Sequence, residues 1–126
     1  MKVKTNELTD LALDWAVAKC EERPHSYAVT GQPPFTAVVF TPSTDWAQGG
    51  AIIEREKISL EHLYGAGDAG ADVWVAAVTC ADKKFGGVER FEEEGPTPLV
   101  AAMRCYVASK LGNEVEVPDE LTTQTI

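Results

Sequence analysis

The sequence predicts an α+β fold: a small antiparallel sheet of three to four strands, two main helices packed on one face, and a short middle helix. Three observations predict it. A strongly signalled helix opens the chain, and a second with sharp boundaries nearly closes it. The apolar runs between them are rich in β-branched and aromatic residues, as strands are. Regular strand–helix alternation, which a parallel sheet requires, is weak.

In the first helix Thr9 is placed to cap, with Asp10 and Asp14 near the positive end. Leu8 and Leu13 have the spacing of a hydrophobic staple around that cap. Leu13, Ala16, Val17 and Cys20 then recur at helical spacing, Leu11 and Trp15 widen the stripe, and Pro24 stops the helix by about Glu22. Strands are expected at Tyr27–Val29, broken by Gly31 and Pro33–Pro34, and at Phe35–Phe40, ended by Pro42. Ser43 or Thr44 caps one helical turn through Gln48. Gly49 and Gly50 break it, and Ala51–Glu56 reads as a second short helical piece. A strand begins at Ile58–Leu60.

Glu61–Asp72, with Gly65, Gly67 and Gly70, reads as a mobile surface loop. Asp72–Cys80 reads as a mostly buried strand. Asp82–Glu94 is charged and turn-rich, either a loop or a short hairpin around Val88–Phe91. The closing helix has Thr97 as cap, Pro98 at its first position and Gly112 as its stop. Leu99, Ala102, Met103 and Tyr106 form one apolar face, with Val100, Val107 and Leu111 beside it. Residues 1–117 are read as one domain and 118–126 as a frayed acidic tail, with Val115–Val117 docking briefly.

A chain of 126 residues is long enough to build one core without staples. Its formal net charge of −9 repels phosphate backbones and anionic lipid heads. That argues against nucleic acid or a membrane surface as partner. The plain role of the charge is solubility; the sharper one is a surface for a basic partner, or an imitation of DNA. The helix–strands–helix order is loosely similar to that of double-stranded RNA-binding domains. Those bind through basic helix ends, whereas this closing helix offers only Arg104 and Lys110.

Cys20, Cys80 and Cys105 are odd in number and form no C-x-x-C pair, which excludes a zinc knuckle and suits a reducing compartment. Each is read as a small core residue. Met1–Thr5 carries no long apolar leader and is expected to run into the first helix. The longest apolar stretch, Val73–Val78, is too short to span a bilayer. His25 and His62 stand alone, so no metal or other cofactor is expected. Gly65–Gly70 precedes a strand rather than a helix, so it reads as a loop and not a phosphate cradle. No G-x-S-x-G motif is present, and carboxylates are too plentiful in so acidic a chain to mark a catalytic pair.

The most peculiar stretch is Pro42–Gly50, where a large aromatic sits in a short polar turn bounded by glycines. The plainer expectation is that Trp46 folds back onto the sheet as a core residue. The alternative is that Asp45, Trp46, Gln48, Gly49 and Gly50 form a recognition surface.

Ser43–Gly50 followed by Ile52–Glu56 resembles the middle of the NinX-like proteins, a family of short phage and prophage proteins. Leu8–Leu11 with its helix, and Gly95–Val107, match the same family. The resemblance covers most of the chain apart from Glu61–Asp72. It implies phage or prophage origin and a bacterial host cytoplasm, and it transfers no catalytic residues. The leading expectation is a non-enzymatic accessory protein that binds a host or phage protein. The alternatives are a small enzyme or ligand-binding domain with an unmarked site, and an acidic DNA mimic.

Overall fold

The computed structural model describes residues 2–21, 41–65, 68–82 and 87–117. The strands expected at Tyr27–Val29 and Phe35–Phe40, and the tail from Pro118, lie outside these residues. The described elements are β1 (Lys2–Lys4), a 3-10 turn (Thr5–Glu7), α1 (Asp10–Cys20), α2 (Trp46–Glu56), β2 (Ser59–Leu63), a 3-10 turn (Asp68–Gly70), β3 (Val73–Asp82), β4 (Gly87–Gly95), α3 (Pro98–Leu111) and β5 (Glu114–Glu116). The strands form a three-stranded antiparallel sheet, β2-β3-β4, and a two-stranded one, β1-β5. The α+β class is as the sequence predicts.

The closing helix is bounded as its sequence signals require. Thr97 is extended, and its hydroxyl accepts from the Val100 amide at 3.1 Å. Pro98 occupies the first turn, and Gly112 leaves the helix at φ +91°, where a side chain would be strained. The amphipathic face expected for α3 is not what forms. Ala101–Ala108 are all buried, and eight consecutive residues go round the helix more than twice. A helix buried on every side needs partners on every side. Its partners are β3 and β4 on one side, with α1 and α2 also packed against it.

Register fixes which sheet face α3 covers. Ala76 and Val78 of β3 are buried in the same core cluster as Ala101, Ala102, Met103 and Cys105. Their cross-strand neighbours are Leu60, Glu93 and Phe91, which therefore share that inner face. Gly95, at the end of β4, lets the strand approach the helix. A Cβ there would come within 2.6 Å of the Ala101 amide nitrogen.

Two expectations about α1 need correction. Thr9 stands at the N-cap in extended conformation but makes no side-chain cap bond. Asp14 does not serve the helix end from the surface: it is 2% exposed and accepts from the Ser43 amide at 2.9 Å. The staple does form, with Leu8 and Leu13 both fully buried. The N-terminus also departs from expectation, since residues 2–4 are a strand rather than the approach to a helix. In β1-β5, Val3 faces Val115, while Lys2 faces Glu116 and Lys4 faces Glu114. A one-residue slip would turn these charges into the core, so the register is well specified. Thr5 locks the junction: its amide donates to Asn113 O at 2.7 Å and its hydroxyl to Gly112 O at 2.6 Å.

The middle of the chain is more regular than predicted. Gly49 and Gly50 do not break a helix; they lie inside α2, which runs unbroken to Glu56 and ends with Lys57 in the left-handed region. Tertiary contact overrides the low helix propensity of glycine here. The loop expected over Glu61–Asp72 is shorter, because Glu61–Leu63 belong to β2. Asp72 ties its ends, accepting from the Gly65 amide at 3.1 Å and facing His62 Nε2 at 3.2 Å. Of the segment left open between loop and hairpin, residues 87–94 belong to a strand, β4, paired with β3 along its whole length.

Because α3 is enclosed, truncating its core side chains must open cavities. Leu99→Ala and Met103→Ala are each expected to cost about 2–5 kcal/mol. Urea midpoints check this; unchanged midpoints for both would contradict the enclosed helix.

Candidate functional site

The turn before α2 is built from backbone and short polar side chains. The Thr44 and Asp45 amides donate to Thr41 O at 3.1 and 2.9 Å. Asp45 is the N-cap, and its carboxylate accepts from the Ala47 amide at 2.9 Å. Gln48 Oε1 reaches back to accept from the Thr41 amide at 2.6 Å. Two of the five predicted site residues thus hold the turn itself.

The two glycines differ. A Cβ on Gly49 would collide with the Pro42 carbonyl oxygen and come within 2.6 Å of Leu99 Cδ2 on α3. On Gly50 the nearest atom would be Trp46 Cε3 at 3.6 Å, an ordinary contact. Gly49 is where α2 approaches its neighbours; Gly50 lies on the outer side beside the indole. Trp46 does not fold onto the sheet. It is 56% exposed on the first turn of α2, so the core reading of this residue does not hold.

The far end of α2 is clamped as firmly. Arg55 donates from Nη1 and Nη2 to the two carboxylate oxygens of Glu21, at 2.9 and 2.6 Å. It also donates to Glu56 at 2.8 Å and to the Tyr106 hydroxyl at 3.1 Å. The Tyr106 hydroxyl donates in turn to Glu21, and burial first, then Glu21, pushes this phenol well above its ordinary range. One bidentate guanidinium–carboxylate pair therefore fastens the ends of α1 and α2 to the middle of α3. Sequence reading missed it because Glu21 and Arg55 are 34 residues apart and no helical spacing links them.

Arg104 was also hidden. It is 9% exposed, with Nε donating to Leu8 O and Nη1 to Glu94 O, both at 2.8 Å. It is a bolt between α3, the entry to α1 and the end of β4, not a surface charge. Burial lowers its pKa from the ordinary value, and Glu93 opposes that. Glu93, on the inner face, is raised by burial, partly offset by Arg104.

Of the three cysteines read as core residues only Cys105 is buried; Cys20 and Cys80 are partly exposed, because each lies near the end of its element. Burial pushes the thiols of Cys20 and Cys105 up to about 12, so both are protonated at neutral pH. His62 is engaged by Asp72 and has two ring neighbours, Tyr64 edge-on at 4.5 Å and Trp74 tilted at 4.9 Å. His25 lies outside the described residues. Among the described residues no three His, Cys, Asp or Glu side chains converge as a metal site, and no helix is long and apolar enough to cross a membrane.

The fold and this site define a small α+β protein of helix-on-sheet design, with a tryptophan mounted on a short helix fixed at both ends. Residues 4–110 match the model of the family described as Bacteriophage P22, NinX, and the chain belongs to that family. No curated protein matches it.

The two glycines give opposite expectations. Gly49→Ala should destabilise by about 1–3 kcal/mol through overpacking. Gly50→Ala should stabilise by up to about 1 kcal/mol through helix propensity. Thermal melts of the pair test the assignment, and equal shifts would contradict it.

Glu93 sets a pH dependence. A carboxyl whose pKa rises on folding makes the folded state take up a proton before the unfolded one does. Its burial therefore costs stability at neutral pH, and the cost fades as pH falls through the folded pKa toward the ordinary value of about 4.3. Glu93→Gln should raise the melting temperature at neutral pH and lose that advantage below about pH 4. A lower melting temperature at neutral pH would mean that attraction to Arg104 outweighs burial.

Proposed function

We propose that this member of the phage family is an accessory protein that acts in the bacterial host cytoplasm by binding a host or phage protein through Trp46. Residues 1–117 act in this reading as one domain, with β1 and β5 joining its two ends. The observation that carries the proposal is the exposed indole on a fixed backbone. A large amphipathic ring that loses little conformational freedom on binding is the commonest kind of energetic anchor at protein interfaces. Asp45 and Gln48 take the positioning role, since their hydrogen bonds fix the turn that presents the ring. Gly50 leaves the surface beside it low, so a partner can close over the indole. The raised thiols of Cys20 and Cys105 and the engagement of His62 by Asp72 favour binding over catalysis.

Trp46→Ala should leave the melting temperature within a few degrees of the parent, because the ring covers little core. It should weaken the partner complex by about 2 kcal/mol or more. Both chains, immobilised and exposed to host lysate before and during infection, provide the test. A protein retained by the parent and released by the variant supports the proposal. Identical retention by both chains would remove Trp46 from the interface, and a large fall in melting temperature would return it to a packing role.

A further inference from the structure

Helix α3 covers one face of the three-stranded sheet. A trough of about 900 Å3 runs over the opposite face and, at the end of β4, reaches Glu93 and Arg104 of α3; among the described residues its lining includes none from α1 or α2. Pairing sets out the trough in rows across the strands. Leu63 lies beside Val73; Glu61, Val75 and Glu94 form the next row; Ser59, Ala77 and Glu92 the one after. The floor along β3 is therefore apolar, and both flanks of the Val75 row carry a carboxylate.

These carboxylates are not equally engaged. Glu92 holds Arg90 at 2.7 Å, and Asp72, at the end of the trough, holds His62. The side chains of Glu61 and Glu94 have no hydrogen-bond or ion-pair partner among the described residues. With strands about 4.8 Å apart, their backbones stand about 10 Å from each other across Val75. A cationic side chain lying over Val75 meets both, and its aliphatic stem covers the valine. Successive rows along β3 are two residues, about 6.8 Å, apart. That is also the spacing of alternate side chains on any extended segment.

We propose that this trough docks an extended, lysine- or arginine-bearing segment of a protein partner, with one cationic side chain over Val75 between Glu61 and Glu94 and the next alternate one beside Glu92. This surface is separate from Trp46, since among the described residues no residue of α2 lines it. The chemistry is charge complementarity over an apolar floor, and the matched repeat makes it selective for an extended chain.

The test uses the full chain and two labelled decapeptides of the same composition, one alternating lysine and threonine, the other with lysines and threonines in separate blocks. Fluorescence anisotropy at low salt should show the alternating peptide binding about tenfold more tightly than the block peptide. Glu61→Gln with Glu94→Gln should remove about tenfold of that affinity, and Trp46→Ala should leave it unchanged. Amide shifts of the parent on adding the alternating peptide should fall on Ser59–Leu63, Val73–Ala77 and Glu92–Glu94. This readout stands even if the double variant fails to fold. Equal binding of the two peptides would reduce the effect to bulk attraction by the net charge and overturn the proposal. No binding, or shifts elsewhere, would also overturn it. A dimer of the chain that the peptide displaces would assign the trough to a second copy and overturn it as well.

Discussion

Helix α3 buries more than two full turns, so every neighbouring element is positioned by the need to cover it. The sheet supplies apolar contact through Ala76, Val78 and Phe91, and α1 through residues such as Leu13 and Val17. A cation in such a helix is costly unless its donors are satisfied. Arg104 meets that condition by donating to two main-chain carbonyls, one before α1 and one at the end of β4. Removing its partners would strand a buried charge. The same residue that pays this desolvation cost also fixes where the first helix and the last sheet strand meet.

The rest of the architecture fastens the ends. β1 and β5 join the start of the chain to the segment after α3, with Thr5 bonding to both Gly112 and Asn113. Glu21, Arg55 and Tyr106 join three helices at one point. The turn at Thr41–Asp45 is held to α1 by Asp14 and to α2 by Gln48. The consequence for function is stiffness at α2. An aromatic ring presented from a short helix is an effective anchor only if that helix does not move, and α2 is tied at both ends.

The two surfaces differ in kind. The Trp46 surface is one aromatic on a convex helix with Gly50 beside it. The trough is a concave sheet face with an apolar floor and carboxylate flanks. An antiparallel sheet commonly leaves one face to solvent, and polar side chains alternate outward on it. Val75 and Val73 on that outward face depart from the alternation, and their departure makes the trough a surface of interest.

The sequence by itself determined the elements whose signals are local. Thr97, Pro98 and Gly112 define α3 because capping, ring geometry and a positive φ act within a turn. Leu8 and Leu13 set the entry of α1 in the same way. The family, too, was legible, from the stretch around Trp46 and from the closing helix. What the tertiary structure decided was everything that depends on who lies opposite. Gly49 and Gly50 read as breakers because low helix propensity is local, yet contact with Pro42 and Leu99 requires the first of them inside α2. Asp14 reads as a helix-end charge and Arg104 as one of the few basic groups on the closing helix, and nothing marks Glu21 with Arg55, because charge favours water until a specific acceptor is brought to it. Trp46 reads as core by its size and is exposed by its place on α2. Burial and ion pairing are properties of distant segments brought together, and no spacing within one segment encodes them.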